Sequence, residues 1–208
     1  MRTTNYINID INDWFCKLES HEISPSILFH IGEMGTGKKT KLNSLINHYG
    51  YTVSNMNWLH DKNHSVIKKK TFVHDLKHMI SNRNIEYYLT GKKDIAVIHN
   101  SHIISDKGIF DAITCLNTEP HVTFVTPVIF IINQTFVSER LLTHMTKSSY
   151  VCYHKKIDCE TVEKIVREQV ERFNGEMNEE IHQIVQSFDG NVTKLKTNIR
   201  QYLITNVN

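Results

Sequence analysis

Gly32 and Gly37 are separated by four residues and Lys38 follows at once, in Gly32-Glu33-Met34-Gly35-Thr36-Gly37-Lys38-Lys39-Thr40. Glycines at that spacing let successive backbone N–H groups face one concavity. A lysine directly after them reaches the β- and γ-phosphates of a nucleotide. A helix starting at the lysine adds the positive end of its dipole. Such a cradle ordinarily closes with Ser or Thr, whose hydroxyl binds Mg²⁺. Lys39 stands in that place, and Thr40 comes one residue late. A glycine-rich turn without a ligand is the plainer reading of the same residues; spacing and flanking elements favour the phosphate one.

Metal-assisted phosphoryl transfer also needs acids at the end of a second strand, one for the metal and one to polarise water. The strand candidate Ile95-Ala96-Val97-Ile98 runs instead into His99-Asn100-Ser101-His102. Neither His99 nor Asn100 carries the charge to hold Mg²⁺, and Asn100 cannot serve as a general base. Metal hydroxyl, metal acid and catalytic acid are therefore missing together, and Lys39 would repel a divalent ion. The expectation is a site for ATP or ADP without Mg²⁺, its phosphates neutralised by Lys38 and Lys39, or else an empty pocket.

Other residue groups admit a functional and an ordinary reading. Lys68-Lys69-Lys70, with Lys62 nearby, is a solvated charge run that can also touch DNA phosphates. His74 and His78 sit four apart on an expected helix without a third ligand of recognisable spacing, which fits surface histidines better than a metal site. His99 and His102 fill a vacated acid site more readily than they hold zinc. Trp14-Phe15 and Trp58 are expected to cover hydrophobic surface, with an exposed Trp14-Phe15 patch that docks a partner as the alternative.

The elements that must position these residues follow from periodicity. Ser26-Ile27-Leu28-Phe29-His30-Ile31 reads as a strand buried on both faces and leads straight into the glycine loop. Leu42, Leu45, Ile46 and Tyr49 then recur at helical spacing up to Gly50, and Tyr51-Thr52-Val53 starts a second strand. Asp94–Ile98 and Pro127–Ile132 read as two more buried strands, with Ile109, Ile113 and Leu116 on a crossover helix between them. Beyond about Tyr153 the pattern turns all-helical, in three stripes: Val162, Ile165, Val166 and Val170; Ile181, Ile184, Val185 and Phe188; Leu195, Ile199, Tyr202 and Leu203. The reading is an α/β domain with a parallel sheet covered by helices on both faces (residues 1–152), followed by a small helical lid (153–208).

Composition narrows the classes further. The 208 residues are 40% hydrophobic and 22% charged, with 24 Lys+Arg against 22 Asp+Glu, which is a folded chain with little global pull on nucleic acid. No window approaches the ~20 apolar residues of a membrane span, and residues 1–6 lack the apolar core of a signal peptide. Cys16, Cys115, Cys152 and Cys159 form no CxxC pair, the usage of free thiols in a reducing, intracellular compartment. Eighteen lysines against six arginines, and Ala only at Ala96 and Ala112, follow AT-rich codons and point to a genome such as that of a large DNA virus. If viral, the chain belongs at a replication site in host cytoplasm or nucleus.

With these residues in view the chain resembles the P-loop AAA+ clamp-loader family, most closely the replication factor C large subunit. Residues 32–38 look like that family's GPPGTGK loop. Gly50-Tyr51-Thr52-Val53-Ser54-Asn55-Met56-Asn57 is similar to its next strand, although the Asp of its Asn-Ala-Ser-Asp segment has no counterpart. Pro127–Asn133 looks like the strand ending in sensor 1, which places Asn133 by the γ-phosphate. Ser187-Phe188-Asp189-Gly190-Asn191-Val192-Thr193 is similar to the lid sequence ending Gly-Asp-Ile-Arg, with Thr193 where sensor 2 is arginine. No arginine occurs between Arg83 and Arg140, so the stretch near Cys115 offers no arginine finger.

The resemblance implies a nucleotide site at Gly32, Gly35, Thr36, Gly37, Lys38, Lys39, Thr40 and Asn133, and a role in DNA replication. The family's collar domain is not expected after the lid, because the sequence stops at Asn208. The reading is a degenerate accessory or scaffold protein, with nucleotide binding weak or lost and hydrolysis absent. Its partners would be a sliding clamp, other clamp-loader-like subunits or a replicative polymerase, with DNA touched through Lys68, Lys69 and Lys70. Two alternatives stand beside it: an active ATPase using Thr40 and acids from a neighbouring subunit, and a structural protein that reuses the fold without a DNA role.

Overall fold

The computed structural model describes residues 8–56, 69–83, 85–99, 125–139, 149–155 and 157–206. The expected crossover helix at Ile109–Leu116, with Trp58, Lys62, Lys68, Asn100, His102 and Cys115, lies outside them, as do the side chains of Lys69 and Lys70. Five strands form one parallel sheet in the order β2-β3-β4-β1-β5. They are β1 (Ile27–Gly32), β2 (Thr52–Met56), β3 (Asp94–Ile98), β4 (Val128–Asn133) and β5 (Tyr150–Tyr153). The helices of the described residues are α1 (Ile11–Glu19), α2 (Lys38–His48), α3 (Lys69–Ser81), α4 (Ile85–Thr90), α5 (Cys159–Arg172), α6 (Glu179–Gln186) and α7 (Val192–Asn206).

β1 and β3 are buried at every residue, as near-continuous apolar runs in a sheet covered on both faces require. The register pairs Thr52 with Asp94, Ile98 with Phe130, and Ile31 with Tyr153. β4 therefore runs on to Asn133 beyond its last partner on β3, and it lies between β3 and β1. This order sets the carboxyl ends of β3, β4 and β1 side by side, as a phosphate-loop sheet demands.

The chain divides into two compact units, Met1–Ile31 with Lys39–Tyr153, and Gly32–Lys38 with His154–Asn208. In the first, Ile11, Trp14, Phe15 and Leu18 of α1 are buried against Leu42 and Ile46 of α2 and against Leu28, Ile95, Val97 and Ile129 of the sheet. Trp14 and Phe15 are wholly buried, so the alternative of an exposed docking patch there is set aside. Phe15 stacks on Tyr49 with ring centroids 5.1 Å apart, and Phe29 stacks on Phe130 at the same separation. α1 starts because Asp10 accepts a hydrogen bond from the Asn12 N–H at 2.8 Å, an N-cap. It is tied down at its other end by Glu19, which accepts from Tyr51 Oη and from Lys93 Nζ, each at 2.6 Å.

In the second unit, the three expected stripes fall on three helices, with Ile165 outside the shared core and Phe188 just past the end of α6. Val162, Val166 and Val170 of α5, Ile181 of α6, and Leu195, Ile199 and Leu203 of α7 make one apolar core. Asp158, Asn178 and Asn191 cap the three helices by accepting from the N–H of Thr161, Ile181 and Lys194. The phosphate loop belongs to this unit by its contacts, although in the chain it continues β1.

Candidate phosphate-binding site

The loop's backbone explains its glycines. Gly35 and Gly37 hold φ of +76° and +89°, the left-handed region that side chains disfavour by about 1–2 kcal/mol. Gly32 answers a different need. A Cβ there would lie 2.8 Å from His154 Cβ and 3.2 Å from Lys38 Cδ, so its bare backbone makes room for the lysine stem.

Lys38 is 8% exposed. Its Nζ donates to Gly32 O at 2.7 Å and also to Glu33 O. An ammonium has three donors, so one proton remains for a phosphate oxygen. Burial lowers the lysine's proton affinity, and the Glu33 carboxylate works against that shift. Thr36 is buried, and its hydroxyl donates to Glu33 O at 2.9 Å. The first turn of α2 contains no acid, and Lys39 and Thr40 in it are exposed. The positive end of this helix is thus open to an anion.

Groups that sequence reasoning did not single out hold the loop from outside. His154 Nε2 lies 2.9 Å from Thr36 O, and the Val192 N–H donates to Gly35 O at 3.0 Å. The Asn191 side chain packs directly over Gly35. Asn191 fell within the lid-like motif, yet nothing in that pattern announces a backbone contact. His154 follows β5, a strand too short to read as one.

The chemistry at the end of β3 differs. His99 is half-buried, and its proton affinity is lowered first by burial and then by the Lys39 cation. Burial and Lys39 both oppose protonation of the imidazole, and the described residue at that strand end is His99 where a carboxylate is expected. Asn133, the last residue of β4, accepts from the Thr135 N–H at 3.3 Å and caps a short turn over Gln134–Phe136.

The residues fit a nucleotide's phosphates, which the loop amides, Lys38 and Lys39 would meet with donors and positive charge. They do not fit Mg²⁺, which takes oxygen ligands, above all carboxylates. Lys39 replaces the hydroxyl and His99 the acid. Among the described residues no group of three or more His, Cys, Asp or Glu side chains is placed to hold a metal ion. His74 and His78 are exposed on α3, with His74 Nδ1 3.2 Å from Asp75 Oδ1. No helix among these residues is long and apolar enough to cross a membrane.

No protein-family model and no curated protein matches the chain. Solved structures do. The Walker-type ATPase paby2304 of Pyrococcus abyssi aligns over 100% of this chain and 71% of its own, with a TM-score of 0.61 at 13% identity. A DNA replication initiation factor aligns over 91% of this chain and 58% of its own, with a TM-score of 0.54 at 17% identity. The replication initiator DnaA bound to AMPPCP and single-stranded DNA aligns over 94% of this chain and 62% of its own, with a TM-score of 0.52 at 17% identity. The chain thus spans less than two thirds of either initiator's length. Taken with the strand order and the glycine loop, these likenesses establish the architecture: the chain has the P-loop AAA+ fold, a parallel α/β sheet followed by a helical unit.

Proposed function

We propose that the chain is a degenerate clamp-loader-like AAA+ protein that binds ATP or ADP weakly and without Mg²⁺, turns over no nucleotide at a useful rate, and serves as an accessory or scaffold in DNA replication. One observation carries the nucleotide part: the buried Lys38 ammonium and an acid-free helix start supply donors for phosphate, while the end of β3 supplies a neutral imidazole beside Lys39. Hydrolysis needs an oriented water and a stabilised leaving group. No acid among the residues named above offers either.

The replication part is supported by the motif resemblance to clamp loaders and by a fold shared with two replication initiators, one of them bound to AMPPCP and single-stranded DNA. A scaffold also needs a surface for its partner. On α4 the side chains of Ile85, Tyr88 and Leu89 are 72%, 73% and 77% exposed, and at spacings of three and four residues they share one helix face. A sliding clamp, another clamp-loader-like subunit or a replicative polymerase is the partner this reading assigns. DNA contact through Lys68, Lys69 and Lys70 belongs to the same proposal, as does a viral, intracellular setting.

The test is calorimetric titration of the purified chain with ADP and ATP, in Mg²⁺ and in a chelator. Equal affinities under both conditions are expected, with no phosphate release above background. Binding that requires Mg²⁺, or ATP turnover abolished by Lys38→Ala, overturns the reading in favour of an active ATPase. Binding of neither nucleotide leaves the scaffold role alone, and capture of a sliding clamp that is lost in Tyr88→Asp then decides it.

A further inference from the structure

Three contacts fasten the phosphate loop to the chain that follows β5. The Val192 N–H, the first of α7, donates to Gly35 O at 3.0 Å. His154 Nε2 lies 2.9 Å from Thr36 O; a carbonyl only accepts, so Nε2 carries the proton and donates. A Cβ placed on Gly35 would sit 1.9 Å from Asn191 Oδ1 and 2.3 Å from its Cγ. The Asn191 side chain therefore fills the space that any larger residue at position 35 would need. The same Oδ1 accepts from the Lys194 N–H at 3.1 Å and caps α7.

These contacts occupy the carbonyls of Gly35 and Thr36, while those of Gly32 and Glu33 are taken by Lys38 and the Thr36 hydroxyl. Four carbonyl acceptors of the loop, on Gly32, Glu33, Gly35 and Thr36, are thus satisfied by protein groups, which hold its shape from within the chain. Thr193, two residues after Asn191, is where the resemblance expects a phosphate-binding arginine. The helix start meets the loop's backbone instead.

We propose that Asn191 and His154 are positioning residues for the phosphate loop: by holding Gly35 and Thr36 from outside they keep it in its anion-binding shape before any ligand arrives. Preorganisation of this kind lowers the ordering cost of binding. The ligand half of this inference rests on the nucleotide reading above. The positioning half does not, because it is read from contacts within the chain.

The decisive variant is Asn191→Gly, since glycine is nearly as good an N-cap as Asn yet leaves the space over Gly35 empty. Hydrogen exchange followed by NMR should show the Val192 amide exchanging about tenfold faster, the loss of one ordinary hydrogen bond's protection, with Ile199 inside α7 unchanged. Gly35→Ala forces the side-chain overlap and should also expose Val192; adding Asn191→Gly to it should recover part of that protection. His154→Phe should weaken ADP binding in chelator, while His154→Gln, which keeps a donor nitrogen, should restore it. The His154 ring should show the Nε2-protonated tautomer. Val192 exchange unmoved by Asn191→Gly, equal acceleration throughout α7, or ADP affinity indifferent to both His154 variants overturns the positioning role. Absence of ADP binding by the parent chain strikes the nucleotide reading instead, and Val192 exchange still decides this one.

Discussion

The carboxyl ends of β1 and β3 belong to one sheet, and both strands are buried along their whole length, yet they deliver different chemistry. β1 opens into glycines held at positive φ and a buried ammonium whose spare donor and helix start suit an anion. β3 opens into a half-buried imidazole kept neutral by burial and by Lys39. The first end offers donors, which is all that phosphate oxygens require. At the second, the described residue is an imidazole and not one of the anionic oxygens a divalent ion requires. On the proposed reading, phosphate recognition and metal chemistry are separable within one fold. The first lives in backbone shape plus one lysine, the second in two or three side chains that can change without disturbing the sheet.

The contrast is broken most directly at Lys38. Lys38→Ala removes the loop's buried cation and strands the carbonyls of Gly32 and Glu33 that it serves. Charge-assisted hydrogen bonds are worth roughly 1.5–3 kcal/mol, so ADP affinity should fall by about 10- to 100-fold on calorimetric titration, equally with Mg²⁺ and with chelator. A variant that binds as well as the parent places the anion site somewhere other than the loop.

The reverse experiment gives the β3 end the chemistry it lacks. The double variant Lys39→Thr with His99→Asp supplies a hydroxyl and a carboxylate and removes the repelling charge. ATP affinity in Mg²⁺ should then exceed that in chelator by about tenfold, one close charge interaction at ordinary strength, where the parent shows no difference. A double variant still blind to Mg²⁺ would mean that the missing metal site extends beyond these two positions.

What the sequence disclosed and what it withheld divide along the same line. β1, β3 and β4 were legible because buried parallel strands are continuous apolar runs, and residues 162–203 because three apolar stripes at helical spacing admit no other use. The loop was legible because its glycines answer a backbone need that few other patterns share. β5 was not, since Tyr150-Val151-Cys152-Tyr153 is four residues long and gains its identity by pairing with β1. Neither was α4, a six-residue helix with no buried residue, too short for its one apolar pair of spacings to stand out as a stripe. His154 and the Val192 N–H act on backbone carbonyls far away in sequence, and Asn191 packs over a distant glycine; contacts of that kind leave no mark on residue spacing. The fate of Trp14 and Phe15 shows the converse limit. An apolar pair near the start of a chain is equally good as core or as docking patch until the helix that bears it is placed, with its Asp10 cap and its Glu19 anchor.

The smallest expected effect tests the electrostatic link that joins the two strand ends, through His99. Burial and the Lys39 cation both oppose protonation of its ring in the folded chain, whereas the unfolded chain protonates it at the ordinary value of about 6.5. Between those two points the unfolded state binds the extra proton, so stability falls as pH drops through the ordinary histidine value and levels off below the folded one. Lys39→Met removes the charge and leaves the burial. NMR titration of the imidazole should therefore show His99 moving upward towards its ordinary value without reaching it, and the acid-side loss of stability should shrink accordingly. A ring that titrates at the ordinary value in the parent, or that ignores Lys39→Met, would uncouple α2 from the end of β3 and leave Lys39 as one more solvated lysine.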